Sequence, residues 1–265
     1  MSRPLLLVFL VLVGAAVAVL GLSRWSYATQ DRDAILAPAT RAHPAGTDEL
    51  GRDRLVRSSA AMLIGLSGAA VAAAISIGIA AGIGLLAAFS PRWMATVLLF
   101  VCDGLLTLPW LFLLMMVRSL LPLTTSPLVT AGMTFLVLAL LGWPAFARAI
   151  FRGAREIRGA EWMIHGRACG LKRRQLVWRH GMAHLRSLLW PLFLVCVPAF
   201  LMAEANLGAI GLGVGEPIPS WGAMLLEMDN SALLLNSRWV YLPMVLLVVV
   251  LLLLESFARE GTARE

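Results

Sequence analysis

The chain has 265 residues, of which 60% are hydrophobic, and a formal net charge of +7; its mean hydropathy is +0.83. Soluble domains average about 45–50% apolar residues, so this composition excludes an ordinary water-soluble globule. In so apolar a chain the excess of Arg reads as membrane topology and contact with anionic lipid, and nucleic acid is not an expected partner.

A helix that crosses a bilayer needs about 20 mostly apolar residues. Six runs meet that length, at 4–22, 62–89, 94–117, 127–147, 188–209 and 239–257. They are apolar all round, without the alternation over about ten residues that a membrane barrel strand requires. The expected fold is an all-α membrane protein with six transmembrane helices.

The first run outlasts the apolar core of a signal peptide, about 7–15 residues. Residues 1–23 are therefore expected to stay as an N-terminal transmembrane helix. Residues 24–60 form an external polar segment, with turn formers around Ala42-His43-Pro44-Ala45-Gly46. Thr47 or Asp48 is expected to cap a short helix there.

Residues 61–258 form a five-helix core. In the second run Gly78 and Gly82 have the small-xxx-small spacing that lets helices approach closely, and packing within the chain is expected of them. The third run carries Asp103 and Pro109. A carboxylate at membrane depth must face protein or water, so Asp103 either lines a path, pairs with a charge or bonds a neighbouring helix. Pro109 is expected to kink its helix. The fourth run passes Trp143-Pro144 into a basic loop, 148–186, where Arg and apolar residues alternate at helical intervals.

The fifth run carries Pro198 and ends near Glu204. It is followed by the segment 207–237, rich in glycine and proline, with Gly211, Gly213, Pro217, Pro219 and Trp221. Irregular backbone at membrane depth survives only where protein or water satisfies it, so a sharp re-entry at the external surface is expected. Trp239 and Tyr241 open the last run as interfacial aromatics. Residues 259–265 form a tail.

With the N-terminus inside, fourteen of the 22 basic residues fall on the inner face and eight on the outer. The central loop dominates that difference. Both termini are therefore expected in the cytoplasm.

No residue set proposes catalysis. The single lysine, Lys172, lies between Leu171 and Arg173. A phosphate-cradling GxxxxGK[ST] loop is thus absent, and any ATP hydrolysis belongs to another polypeptide. His180 and His184 lack a third ligand and read as surface or packed histidines. Asp48, Glu49 and Asp53 sit beside Arg52 and Arg54 and read as capping and ion-pairing groups. Cys102, Cys169 and Cys196 form neither a disulfide framework nor a metal motif. No metal and no cofactor are expected on this chain.

Three segments resemble the permeases of the dipeptide/oligopeptide/nickel ABC importer family. His43-Pro44-Ala45-Gly46-Thr47-Asp48-Glu49-Leu50-Gly51-Arg52-Asp53 resembles the HPxGTDxLGRD signature of one permease subtype. Glu161, Arg167, Ala168, Gly170, Arg179 and His180 match the pattern of the family's coupling loop. Glu204-Ala205-Asn206-Leu207, Gly211-Leu212-Gly213-Val214 and Pro217-Ile218-Pro219-Ser220-Trp221-Gly222 match its third motif. The loop departs from the pattern at His165, Gly166 and Ala183, and the third motif at Ala209-Ile210.

The resemblance implies a permease of the type I ABC importer kind in a bacterial inner membrane. It implies that Glu161, Ile164, His165, Gly166, Arg167, Ala168, Gly170, Lys172, Arg173 and Arg179 dock a cytoplasmic ATPase. It places Asp103, Pro109, Glu204, Gly211, Gly213, Pro217, Pro219 and Trp221 along the translocation path and gate. It assigns Gly46, Thr47, Asp48, Glu49, Gly51, Arg52 and Asp53 to docking of an external binding protein. The implied partners are a second permease subunit, forming a heterodimer, two ATPases that carry ATP and Mg, the binding protein, and lipid. Peptide is the implied substrate, with nickel or another small solute open. Two other classes stay open. One is a transporter driven by an ion gradient, which usually shows internal repeats and paired broken helices. The other is a membrane docking or signalling component.

Overall fold

The computed structural model describes residues 3–119, 126–161, 165, 182–230 and 238–262. The described residues form α1 (Arg3–Leu22), α2 (Arg54–Phe89), α3 (Arg92–Thr107), α4 (Trp110–Ser119), α5 (Pro127–Gly159), α6 (Met182–Ala209), α7 (Trp221–Leu226) and α8 (Leu242–Thr262), with 3-10 turns at Glu227–Asp229 and Arg238–Tyr241. The all-helical fold class is as expected from the sequence.

Among the described residues, five helical segments are long and apolar enough to cross a membrane: Pro4–Leu22, Arg54–Phe89, Pro127–Gly159, Leu185–Ala209 and Arg238–Glu260. The expected third span, 94–117, differs. It is two helices, α3 and α4, interrupted where Leu108 turns extended at φ −75°, ψ 134°. A residue that precedes proline is driven out of the helical region by the ring, and Pro109 also has no N–H to donate. Pro109 therefore breaks the run rather than kinking it.

The second span also starts earlier than its hydropathy suggests. Asp53 caps α2 by accepting from the Val56 amide, so neither Thr47 nor Asp48 is the cap. Its first turns bury Arg54, Arg57, Ser58 and Ser59. Such a start is polar in sequence yet interior in the fold.

At the centre, α2 lies along α5 and also touches α1, α3, α6, α7 and α8. Lipid tails are as apolar as leucine, so helix association in a membrane relies on close van der Waals packing at small residues. Accordingly α2 buries Ala61, Ala69, Ala72, Ala73, Ala80, Ala87 and Ala88. A Cβ at Gly84 would sit 2.7 Å from the Ala147 carbonyl oxygen, so glycine is needed at that crossing. The expected packing pair, Gly78 and Gly82, has no atom within 4 Å of a built Cβ. The close approach therefore comes at Gly84, just beyond the motif. Phe135, Leu138, Phe200, Leu201, Trp221, Leu247 and Phe257 complete the main core. Phe9 of α1 meets Phe257 of α8 edge to face at 5.6 Å, while Leu7, Val11, Phe100 and Leu252 point outward and are exposed.

Candidate functional site

The segment before α2 is a compact loop built around two glycines. Gly46 and Gly51 take φ +70° and +74°, a region costly for any residue with a Cβ. A Cβ at Gly51 would lie 2.0 Å from the Asp31 carbonyl oxygen. The Asp31 amide donates to Gly51 O at 3.0 Å, Asp48 N to Arg52 O at 3.0 Å and Arg54 N to Gly46 O at 3.1 Å. Thr47 Oγ1 accepts from the Ala37 amide at 2.8 Å and donates to the Ala34 carbonyl. His43 is buried with Nδ1 3.0 Å from Asp53 Oδ2 and Nε2 3.5 Å from Asp31 Oδ2. The Trp25 ring lies 4.7 Å from the His43 ring. Thus Asp53 both caps α2 and fixes His43.

Asp48 organises the charged half of the loop. Its Oδ1 accepts from the Leu50 amide at 2.9 Å and the Arg52 amide at 2.8 Å. Its Oδ2 accepts from Arg52 Nε at 2.7 Å and lies 3.5 Å from Arg57 Nε. Local pairing of Asp48 with Arg52 is as the sequence suggests. The long-range partners are not visible in either motif alone. Arg52 Nη1 lies 2.5 Å from Glu216 Oε2, and Arg57 Nη2 lies 3.0 Å from Glu216 Oε1. Arg54 Nη2 lies 3.2 Å from Glu227 Oε2. Asn230 Nδ2 donates to Glu49 Oε1 at 3.2 Å. Three arginines before and within the start of α2 therefore bind two carboxylates of the segment that follows α6.

The arginines and Asp48 are buried while Glu216 is half exposed, so the buried cations make loss of a partner costly. Burial works against the Arg52 charge, but hydrogen bonds to Glu216 and Asp48 outweigh it and hold its pKa above the ordinary value. Burial pushes Glu227 upward, and the nearby Arg54 pulls it back only in part.

The 204–222 stretch forms the floor of this cluster. Gly211 turns at φ +77°, and the Leu212 amide donates to Leu207 O at 2.8 Å, closing the end of α6. A Cβ at Gly222 would meet Gly208 Cα at 2.3 Å, so α7 crosses the end of α6 in backbone contact. Ser220 Oγ caps α7 by accepting from Ala223 N at 3.2 Å. Gly213 also packs on Gly208. Pro217 follows a cis peptide, and Pro219 leads into the cap. Trp221 is fully buried, with its indole against Gly65 of α2 and Leu201 of α6 nearby. From the sequence, Trp221 is expected in an irregular re-entrant segment, along the path and gate. The structure instead places it in the core, because α7 folds back over the ends of α2 and α6.

Glu204 is 1% exposed. Its carboxylate faces the Ser220 hydroxyl and the Trp221 amide without reaching hydrogen-bond geometry with either. Asp103 of α3 instead forms an ion pair with Arg148 of α5, and both side chains are partly exposed. Of the readings open for Asp103, the structure supplies the charge partner. It also gives Arg148 a specific contact beyond topology.

In the expected coupling loop, Glu161 and His165 are exposed. Ile164, Gly166, Arg167, Ala168, Gly170, Lys172, Arg173 and Arg179 lie outside the described residues, as does His180. The described residues bring the 43–53 motif together with Glu216 and the 204–222 motif. They leave Asp103 and Pro109 in a separate region. Sequence reasoning missed Glu216, Glu227 and Arg57 as members of the cluster. Glu216 directly precedes Pro217, and Arg57 lies one helical turn after Asp53, so proximity to the two motifs was the available signal.

Residues 74–260 match the family described as binding-protein-dependent transport system inner membrane component. The chain is 30% identical over 258 residues to the oligopeptide transport system permease protein OppC of Mycobacterium bovis, covering 95% of this chain and 84% of that protein. It is 25% identical over 220 residues to OppC of Bacillus subtilis, covering 83% and 70%. A Brucella suis biovar 1 protein with a provisional peptide-permease name is 30% identical over 221 residues, covering 83% and 70%. With the apolar helices described above, these likenesses identify a multi-pass inner-membrane protein. The chain belongs to the family of inner-membrane components of binding-protein-dependent transport systems, the permeases of ABC importers.

Proposed function

We propose that this chain is one permease subunit of an ATP-driven importer of di- or oligopeptides. The peptide assignment rests on the names of the relatives; nickel is the less favoured cargo. The protein works beside a second permease, with two cytoplasmic ATPases and an external binding protein. Both termini lie in the cytoplasm, and a sixth crossing is made by α3 and α4 together.

The observation that carries the gate reading is the ion cluster that ties Arg52, Arg54 and Arg57 to Glu216 and Glu227. It joins the external segment to the stretch closing the end of α6. A cluster of this kind can hold the outer end of the path shut and release it when the helices tip. ATP binding must then favour one arrangement over the other, since a ligand shifts an equilibrium only by its differential affinity. In the cytoplasm the loop around Ile164 to Leu171 docks in an ATPase cleft, with Gly170 permitting close backbone approach. The partner ATPases hold ATP and Mg; this chain supplies the path and the lever.

Copurification tests the assembly. The chain should retain an ABC ATPase through mild detergent extraction. Reporters fused after residue 125 and at residue 170 should read external and cytoplasmic respectively. A stable chain that retains no ATPase, or reporters of reversed sense, would overturn the coupling assignment.

A further inference from the structure

Arg92 at the start of α3, with Arg155 and Arg158 near the end of α5, lines one cleft with Ala87, Ala88, Ala95 and Phe151. The cleft lies where α2 ends, α3 begins and α5 leaves its apolar stretch. Arg92 falls in the break between the apolar runs 62–89 and 94–117, where the chain turns back. The arginine cleft is therefore at a membrane boundary.

The three arginines are not equivalent. Arg158 Nη1 donates to the Ala88 carbonyl at 2.8 Å, answering an open carbonyl at the end of α2. The Arg155 guanidinium stands 5.7 Å over the Phe151 ring. Among the described residues neither Arg92 nor Arg155 has a carboxylate partner, and no carboxylate lines the cleft. Arg52, Arg54, Arg57 and Arg148, by contrast, each have a carboxylate partner. Two unpaired cations above alanine and phenylalanine walls make a site with a polar head and an apolar flank.

We propose that this cleft binds the phosphate headgroup of an anionic phospholipid, with Arg92 and Arg155 on the phosphate and the acyl chains along Ala87, Ala88 and Ala95. Guanidinium groups match phosphate oxygens in geometry as well as charge. Basic pockets between membrane helices are suited to such headgroups. The apolar walls and the boundary position favour a lipid over a free phosphate or an acidic protein surface. Occupancy would brace the α2–α3 turn against α5, beside the loop proposed to couple to the ATPase; that consequence rests on the proposed function, but the lipid site does not.

The test is native mass spectrometry of the full chain in mixed micelles of phosphatidylglycerol and phosphatidylcholine. The wild type should retain phosphatidylglycerol selectively and saturably. An Arg92→Gln/Arg155→Gln variant should lose that preference by about fivefold per arginine, about 25-fold for the pair. An Arg92→Lys/Arg155→Lys variant, which keeps the charge and guards against a folding defect, should recover most of it. Arg24→Gln/Arg41→Gln, outside the cleft, should leave it unchanged. Excess inorganic phosphate should not displace the lipid. The proposal is overturned if the wild type shows no preference, if the glutamine pair retains it, or if inorganic phosphate competes equally. It is also overturned if the glutamine pair loses only ATPase binding, which would assign these arginines to a protein contact. A chain that binds lipid but no ATPase would leave this site standing and refute the transport assembly alone.

Discussion

Replacing Glu216 with Gln removes one carboxylate and keeps its shape. Glu216 holds two guanidinium groups, Arg52 at 2.5 Å and Arg57 at 3.0 Å. The arginine side chains are 8% and 1% exposed, while that of Glu216 is 50% exposed. Its exposure discounts the loss, because fully exposed pairs contribute only about 0–1 kcal/mol. The burial of Arg57 raises it, because breaking a buried pair by removing one partner costs about 3–5 kcal/mol. Asp48 remains beside both arginines and limits the damage. The intermediate value is about 2 kcal/mol, or about 30-fold in an equilibrium at 1.4 kcal/mol per decade. If the cluster holds the outer gate shut, Glu216→Gln should raise basal ATPase activity of the assembled complex and weaken its dependence on the binding protein. The assay is ATP hydrolysis with and without binding protein, alongside thermal unfolding of the same preparation. Unchanged hydrolysis and unchanged unfolding would refute the cluster's importance. A lowered unfolding temperature with an unchanged stimulation ratio would make it a brace and not a gate.

Three further outcomes follow from the geometry. Gly51→Ala should disrupt the segment before α2, since its Cβ would meet the Asp31 carbonyl at 2.0 Å; limited proteolysis of residues 24–53 should accelerate while the helices stay protected. Trp221→Ala should cost about 3–5 kcal/mol, as large core truncations do, and lower expression and basal ATPase activity together; a selective loss of stimulation by the binding protein would contradict its buried, bracing position. Gly170→Arg should leave membrane insertion intact and remove ATPase copurification, and full ATP-dependent uptake by that variant would refute close docking at this residue.

The membrane helices were legible because each crossing demands a long apolar run, and few other constraints produce one. Boundaries failed where tertiary pairing hid polarity. Arg54 and Arg57 look like loop residues in a hydropathy reading, yet both lie inside α2 because Asp48, Glu216 and Glu227 satisfy them. Pro109 was recognised as a perturbation, but hydropathy could not show that Leu108 would turn extended. The 43–53 motif carried its own local logic in Gly46, Gly51, Asp48 and Asp53. Its partner across more than 150 residues, Glu216, obeys no periodicity, so only folding brings it into view. Trp221 illustrates the same limit. A tryptophan beside proline and glycine carries no periodicity that would mark its depth, until α7 turns it onto Gly65.

The most direct measurement of the central claim is uptake of a labelled oligopeptide mixture by proteoliposomes holding this chain, its partner permease and their ATPases, with the binding protein outside. Accumulation should need internal ATP and the binding protein, persist when ion gradients are collapsed, and stop with Gly170→Arg. Uptake that follows an ion gradient without ATP would contradict it.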